Sequence, residues 1–247
     1  MDKSADEEMA GRARKPYDFE AFSQSLDVSR ETLAALKRYG ALLEEWQGKF
    51  NLVSPKTIPG MWHRHFLDSV QILDLVDKKR PVWLDFGSGA GFPGMVAAIL
   101  LQERGGGTVH LVESIGKKCR FLREVVKETI GQDGSVEVII HQDRLEQMDA
   151  FEADVISARA VTSLDKLCGY AHRFQGPETI CLFPKGQDVE RELTEASKCW
   201  NIDLDKYPST TDPRGVILRL NHLSPKDKKS GRKDSPKHPP KSRQRQR

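Results

Sequence analysis

The stretch "LDFGSGAGFPG", residues 84–94, places four glycines and a proline directly after an apolar run. Glycine tolerates a positive φ and has no Cβ, so a glycine loop after a strand lets main-chain N–H groups approach a ligand closely. The proline at position 93 favours the start of a helix at that point. The stretch therefore predicts a strand, a ligand-binding loop and a helix in succession.

The chain after residue 80 predicts the fold. Short, almost entirely apolar runs alternate with segments of helical periodicity, which is typical of a parallel sheet covered on both faces. The last two runs, "NIDLDKY" and "PRGVILRLNHL", predict a closing hairpin with an antiparallel strand. We therefore expect a doubly wound, mostly parallel, seven-stranded α/β domain over residues 81–223, with ligands at the carboxyl ends of its strands.

Residues 18–80 predict a helical cap in front of this domain. Apolar residues recur at three- and four-residue steps from residue 29 to residue 50, and Ser29 is a suitable N-cap. A second helix is expected around residues 58–76. His63 and His65 are two residues apart and would face different sides, so no metal site is expected. His65 and Asp68 are three apart, and we expect them to hold the cap against the main domain.

The two ends of the chain, residues 1–17 and 224–247, are polar and predict disorder. Residues 224–247 contain ten Lys or Arg and two Asp, a net charge of +8. The net charge of the whole chain is +3, so the rest carries −5. Such a cationic tail favours a nucleic acid or an acidic surface as partner and would add salt-dependent affinity for phosphate. A terminus that is only tolerated is the alternative.

Composition excludes several classes of protein. The four cysteines are too widely spaced for a CxxC metal or redox site, and we expect reduced thiols. No apolar stretch is long enough for a membrane span, and no signal peptide is recognisable. A cytoplasmic protein without membrane or metal partners is the expectation.

Two ligands suit the glycine loop. Gly89, Gly91 and Gly94 match the GxGxxG fingerprint by letter, which would mean a dinucleotide. In that fingerprint the helix begins after the second glycine, whereas here Pro93 begins it. The stretch "DFGSGAG", with Asp85 at the strand end, instead resembles motif I of the S-adenosylmethionine-dependent methyltransferases. In that superfamily the position of Glu113, after the second strand, carries an acid that binds the ribose hydroxyls.

Further stretches narrow the resemblance. The chain resembles the small-subunit ribosomal RNA guanine-N7 methyltransferase G family, also called glucose-inhibited division protein B, in "NLVS" (51–54), "HFLDS" (65–69), "DFGSGAGFPG" (85–94), "ARAV" (158–161) and "KG" (185–186). The resemblance covers residues 30–200. It implies a class I methyltransferase fold, S-adenosyl-L-methionine as cofactor, and 16S ribosomal RNA or the small ribosomal subunit as partner. The implied reaction is methyl transfer to N7 of a guanine in the decoding-region loop.

The resemblance also implies the site residues. The cofactor would be held by Asp85, Gly87, Gly89, Gly91, Phe92, Glu113, Leu145, Glu146 and Arg159. Guanine N7 is a free acceptor, so the reaction needs no catalytic base.

The two predicted catalytic residues would act by alignment. Arg159 would hold cofactor and target in register, and Lys185 would contact RNA phosphate. A structural ion pair for Arg159 and a solvated side chain for Lys185 are the alternatives.

Two other functions stay open at this point. One is an NAD(P)-dependent oxidoreductase that uses the glycine loop for a dinucleotide. The other is a non-catalytic module that binds RNA or the ribosome.

Overall fold

The computed structural model describes residues 17–131 and 134–226. The two predicted disordered ends lie outside these ranges except for a few residues. Tyr17 is described, and its hydroxyl lies 2.9 Å from the Ser25 hydroxyl. The last strand continues to Pro225, two residues into the predicted tail.

Helices and strands alternate along most of the chain. The strands are β1 (Val82–Phe86), β2 (Gly107–Val112), β3 (Val136–His141), β4 (Ala153–Ala158), β5 (Gln175–Lys185), β6 (Trp200–Pro208) and β7 (Val216–Pro225). The α-helices are α1 (Phe19–Gln24), α2 (Arg30–Gln47), α3 (Asp68–Leu73), α4 (Gly94–Leu101), α5 (Gly116–Thr129), α6 (Leu164–Ala171) and α7 (Val189–Ala196).

The strands form one seven-stranded sheet in the order β3-β2-β1-β4-β5-β7-β6. The first five strands are parallel, and β7 pairs antiparallel with both β5 and β6. The predicted doubly wound sheet and its closing hairpin are therefore confirmed. After β3 the chain returns to the other side of β1, so the strand order reverses between β1 and β4. Ligands of such sheets bind at the carboxyl ends of the strands that flank this reversal.

Helix α4 is buried at every one of its residues. Its sequence, "GMVAAILL", is apolar on all sides, as a helix must be when it lies between a sheet and a second layer. The second layer here is the cap, whose helices α2 and α3 pack on α4. Cap and sheet share a single buried cluster, which includes Tyr39, Phe66 and Trp83.

The cap differs from its prediction in one element. The N-cap of α2 is confirmed, because the Ser29 side chain accepts a hydrogen bond from Thr32 N. The continuous helix expected around residues 58–76 is wrong. The chain forms a 3₁₀ turn (Pro55–Gly60), a π-helical turn (Trp62–Leu67) and then α3. Pro59 cannot take part in regular helical hydrogen bonding, which breaks the segment at its start.

In the part of the chain that the structure covers, no helix is long and apolar enough to cross a membrane.

Substitution of Gly91 by alanine tests how closely the cap packs against the glycine loop. Its φ is +98°, and a Cβ there would lie 2.5 Å from the Tyr39 hydroxyl. Gly105 has the same φ with nothing within 4 Å of a Cβ. Gly105→Ala should lower the free energy of unfolding by about 1–2 kcal/mol through backbone strain alone. Gly91→Ala should lower it by about 1–3 kcal/mol more through the clash. Urea unfolding measures both, and equal losses would contradict the close fit.

Candidate active site

The glycine loop crosses the carboxyl end of β1 with three positive φ values. These are +58° at Gly87, +60° at Gly89 and +98° at Gly91. A Cβ on Gly87 would lie 2.8 Å from the Val161 side chain, whereas one on Gly89 would meet nothing closer than 3.7 Å. Gly87 therefore allows the loop after β4 to approach, and Gly89 presents an open backbone surface. That open surface is where a ligand can contact main-chain atoms.

Glu113 faces the same loop from the end of β2. Its carboxylate accepts a hydrogen bond from Gly89 N at 3.1 Å and another from Ile115 N at 2.8 Å. Lys118 Nζ lies 3.9 Å from one carboxylate oxygen. The side chain is buried, unlike an ordinary acid at a strand end. The structure thus brings two predicted site residues together and fixes the acid beside the open face of the loop.

Asp85 is fully buried beneath the loop. Its Oδ1 accepts a hydrogen bond of 2.6 Å from the Ser157 hydroxyl, which in turn accepts one from Trp83 Nε1 at 2.9 Å. Its Oδ2 forms no hydrogen bond of good geometry among the described residues, although the Gly94 N–H lies near enough to lower the pKa of the carboxyl. Burial raises the pKa of Asp85 from 3.8 to about 6, and the hydrogen bond from Ser157 opposes that rise. A buried, unpartnered carboxylate oxygen is costly unless a ligand supplies a donor, so Asp85 fits a ligand with a cationic or N–H group.

Phe92 is enclosed by side chains of three elements. The ring centroid of Tyr39 lies 5.2 Å away and that of His65 5.1 Å away, both stacked, and Arg159 Cζ lies 5.2 Å from the centroid of Phe92. Only 4% of Phe92 is exposed. The ring therefore joins the cap to the glycine loop. A ligand on the open face of the loop would reach the Phe92 backbone instead of its ring.

Tyr39 makes a second connection between cap and loop, one that the sequence analysis missed. Its hydroxyl donates a hydrogen bond to the Ala90 carbonyl oxygen. Burial raises the pKa of Tyr39 well above its ordinary value, so the phenol stays protonated and remains a donor. A tyrosine within an apolar stripe was the available signal, because a buried hydroxyl requires a partner.

Arg159, at the end of β4, forms a structural ion pair, which was the alternative to its predicted catalytic role. Nη1 lies 3.0 Å from Asp68 Oδ2 and 3.1 Å from the Arg64 carbonyl oxygen. Nη2 lies 3.1 Å from His65 Nδ1. The guanidinium can only donate, so Nδ1 must accept and the His65 ring is neutral. Burial, followed by the charge of Arg159, lowers the pKa of His65 to about 3.

Asp68 connects three parts of the chain. While Oδ2 binds Arg159, Oδ1 accepts hydrogen bonds from the Thr211 hydroxyl at 2.6 Å and from Gln71 Nε2 at 2.9 Å. Thr211 belongs to the loop between β6 and β7. The expectation that His65 and Asp68 hold the cap is confirmed by these contacts. The part played by Thr211 could not be read from "PSTTDP", which signals only a turn.

A cleft of about 500 Å³ lies between the cap, the ends of β4 and β5, and the β6–β7 loop. Its polar walls include Thr57, Asp68, Arg159, Lys185, Glu192 and Thr211. The two predicted catalytic residues thus line one cleft, which adjoins the glycine loop where Arg159 covers Phe92.

The Lys185 side chain is not solvated, which rules out the alternative interpretation given for it from the sequence. Only 9% of the side chain is exposed, and Nζ lies 2.7 Å from Glu192 Oε2 and 3.4 Å from the Thr162 carbonyl oxygen. Glu192 Oε2 also accepts a hydrogen bond from Leu164 N at 2.8 Å. The pair therefore fastens the loop that follows Arg159, in which Ala160 has a φ of +54°.

Leu145 and Glu146 lie apart from the Arg159 cleft, contrary to the expectation of one shared pocket. Leu145 is buried in a 3₁₀ turn (Leu145–Gln147). Glu146 is exposed and accepts a hydrogen bond of 2.5 Å from the Tyr170 hydroxyl on α6, which lowers the pKa of Glu146. The two side chains of this bond line a separate cavity. The reason is that the chain after β3 turns towards α6.

Among residues 17–131 and 134–226, no three His, Cys, Asp or Glu side chains are grouped in a way that could hold a metal ion. His63 and His65 diverge, since His65 is buried and His63 packs edge-on against Tyr17.

The reversal of strand order at β1, the glycine loop after it and the fixed acid after β2 define a class I methyltransferase architecture. The match at the level of sequence is more specific. Residues 32–213 match the family model GidB, described as rRNA small subunit methyltransferase G, and the chain belongs to that family. The resemblance found in the sequence is confirmed, and neither the dinucleotide alternative nor the non-catalytic one has support in the comparisons.

Named relatives agree with this assignment. The Ribosomal RNA small subunit methyltransferase G of Parvibaculum lavamentivorans is 47% identical over 208 residues, which cover 83% of this chain and 90% of the relative. The protein of the same name from Rhodospirillum centenum is 44% identical, covering 85% of this chain and 93% of its own. The crystal structure of M. jannaschii TYW2 in complex with AdoMet matches with a TM-score of 0.47 and 13% identity. The match covers 65% of this chain and 76% of that one.

A double-mutant cycle tests the bond between Arg159 and Asp68. Single and double substitutions to Ala should give a coupling energy of about 1–3 kcal/mol, because both side chains are only 17% exposed. The pair Arg38–Glu128 is the control. It has a similar separation of 3.1 Å but side chains 44% and 31% exposed, so its coupling should stay below about 1 kcal/mol. Denaturant unfolding of the wild type and the six variants gives both coupling energies, and a coupling no larger than the control's would refute the structural role.

Proposed function

We propose that this protein transfers the methyl group of S-adenosyl-L-methionine to N7 of a guanine in the decoding-region loop of 16S ribosomal RNA. The observation that carries the proposal is the unpartnered oxygen of buried Asp85, below a glycine loop whose open face adjoins Glu113. Family membership supports the reaction class. The substrate is 16S RNA or the small ribosomal subunit, which implies a cytoplasmic location.

The residues around the glycine loop suit the ammonium group and the ribose hydroxyls of the cofactor. When bound, S-adenosylmethionine supplies an electrophilic methyl group on a sulfonium. Asp85 Oδ2 would accept a hydrogen bond from its ammonium group. Glu113 would accept hydrogen bonds from the ribose hydroxyls, because each carboxylate oxygen can accept more than the one N–H it now binds. Gly87, Gly89, Gly91 and the Phe92 backbone would border the donor, and Leu145 and Glu146 would contact its far end.

The cleft suits a reaction that moves positive charge onto a base. N7 carries an in-plane lone pair, so no proton leaves before attack and the protein's task is to align the atoms and exclude water. His65 is neutral, and the charges of Arg159 and Lys185 are balanced by Asp68 and Glu192. Arg159 and Lys185 therefore do not oppose the charge that develops on the guanine, whereas Arg64, at the exposed wall of the cleft, has no acidic partner among the described residues.

Arg159 and Lys185 take different parts in this proposal. Arg159 keeps the cap, the glycine loop and the β6–β7 loop in register around the cleft through Phe92 and Asp68. Lys185 acts as a positioning residue for the loop after Arg159, since its ammonium group already binds Glu192. This role replaces the direct contact with RNA phosphate expected from the sequence.

The target guanine should be unpaired. The major groove of A-form RNA is deep and narrow, so N7 of a paired guanine is out of reach of a cleft built from side chains. A loop nucleotide can be turned out of its stack at lower cost.

Methyl transfer itself is tested with the pure protein, 16S ribosomal RNA and isotopically labelled S-adenosylmethionine. Mass spectrometry of the nuclease-digested RNA should find one labelled 7-methylguanosine in the decoding-region fragment. Calorimetry should show binding of S-adenosylmethionine and none of NAD. The same reaction is run with small ribosomal subunits, and a label on another atom of the base, or no label on either substrate, would contradict the proposal.

The ionisation of Asp85 predicts a pH dependence. Because its folded pKa is above the ordinary value of 3.8, the free energy of unfolding should fall as pH rises from about 4 to 6, by on the order of 3 kcal/mol, and level off above. Affinity for S-adenosylmethionine should rise about tenfold from pH 5 to pH 7, following the ionised fraction.

Asp85→Asn removes the titrating group while keeping its shape. Calorimetry and urea unfolding at pH 4–8 should therefore give this variant flatter profiles of stability and affinity. If the variant retains the profiles of the wild type, Asp85 is not the group that binds the ammonium.

A further inference from the structure

Three cations lie on the exposed side of α5 without acidic partners. Lys117, Arg120 and Arg123 follow one another at three-residue spacing, which places them on one side of the helix. Their neighbours on the helix are neutralised, since Lys118 pairs with Glu113, and Lys127 with Glu124. Within residues 17–131 and 134–226, none of the three lies within 4.0 Å of a carboxylate. The row is therefore locally cationic on a body whose charge, outside the tail, is negative.

An aromatic ring lies beside this row. Lys117 Nζ and Arg120 Cζ are each 6.0 Å from the ring centroid of Phe50, which follows the end of α2. The Trp46 ring supports Phe50 from the cap side at 5.8 Å. Phe50 is half-buried, so part of its ring faces solvent between the two cations. A ring flanked by cations is the chemistry with which proteins bind single-stranded nucleic acid, by stacking a base and pairing its phosphates.

This surface borders both parts of the candidate active site. Lys117 lies in the first turn of α5, four residues after Glu113. Phe50 is four residues before Ser54, which lines the Arg159 cleft, so the two Cα atoms are at most about 14 Å apart. The exposed Lys56 follows Ser54 in the chain. A strand of RNA on this surface can thus continue into the cleft.

We propose that Phe50, Lys117, Arg120 and Arg123 form a docking surface for single-stranded RNA next to the target guanine. Phe50 stacks one unpaired base, and the cations bind the phosphates on either side of it. The inference rests on the proposed function, which requires an unpaired guanine and therefore unstacked neighbours. Inside the cleft Arg159 and Lys185 are already paired with acids, and this surface adds three cations that have no acidic partner among the described residues.

The double variant Lys117→Gln, Arg120→Gln tests the phosphate contacts in the full-length protein. Dissociation constants for a decoding-region fragment of 16S ribosomal RNA are measured over a range of salt concentrations. The slope of log K against log salt should fall by about 1.4, the value for two phosphates of a single strand. The affinity at low salt should drop about tenfold. Affinity for S-adenosylmethionine and kcat at saturating RNA should be unchanged, with KM for RNA raised.

The matched control removes the same charge elsewhere. Arg30 and Lys37 are exposed cations of α2, and Lys37 also lies over an aromatic ring, 5.2 Å from the centroid of Phe19. Lys37 is thirteen residues before Phe50, about 20 Å along a helix. Arg30→Gln, Lys37→Gln should leave the salt slope and KM at their wild-type values.

Phe50→Leu separates stacking from charge. Leucine keeps the buried apolar contact with Trp46 but removes the ring, so RNA affinity should fall about tenfold with the salt slope unchanged. Any of three results would contradict the proposed docking surface. These are equal effects of the two double variants, wild-type RNA affinity of Phe50→Leu, and no RNA binding by the wild type. RNA bound through this surface without methyl transfer would overturn the proposed function and leave the surface standing.

Discussion

The enclosure of Phe92 is the interaction on which the rest of the site depends. One phenyl ring of the glycine loop is stacked by Tyr39 and His65 of the cap and covered by Arg159 from the end of β4. Full burial of such a ring stabilises a fold by roughly 1.5–3 kcal/mol, and aromatic pairs add about 0.5–1.5 kcal/mol. Because these contacts join three elements at one point, the glycine loop and the Arg159 cleft cannot change shape independently.

The same arrangement divides the charges of the protein into two groups. Inside the cleft, Arg159 and Lys185 are each matched by an acid, so they hold loops in place at little net charge. Outside it, Lys117, Arg120 and Arg123 of α5 have no such partners among the described residues, whereas Lys118 and Lys127 do. A methyl transfer that leaves positive charge on a base favours the first environment, and an RNA backbone favours the second. Separating them lets one chain satisfy both requirements.

Much of the fold followed from local pattern. The strands and the closing hairpin depend on burial on the faces of a sheet, and the loop after β1 depends on the conformational freedom of glycine. Both properties can be read from the residue types in the sequence. The prediction of one regular helix over 58–76 was wrong because apolar spacing suits such a helix, whereas Pro59 lies in a 3₁₀ turn and Trp62–Leu67 form a π-helical turn that the spacing does not reveal. The contact of Glu146 with the cofactor stays a prediction, because its motif fixes a position in the chain and not the direction of a side chain.

The sequence by itself determined the order of the strands along the chain, the glycine loop, the acid at 113 and the family. These features depend on residue type and on neighbours within a few positions. Only the tertiary structure decided the partners of Arg159 and Lys185 and the unpartnered state of Asp85 Oδ2. The physical reason is that the contacts of Arg159 and Asp85 join residues about 70–95 positions apart, and that which acid a cation meets depends on packing, which local pattern does not encode.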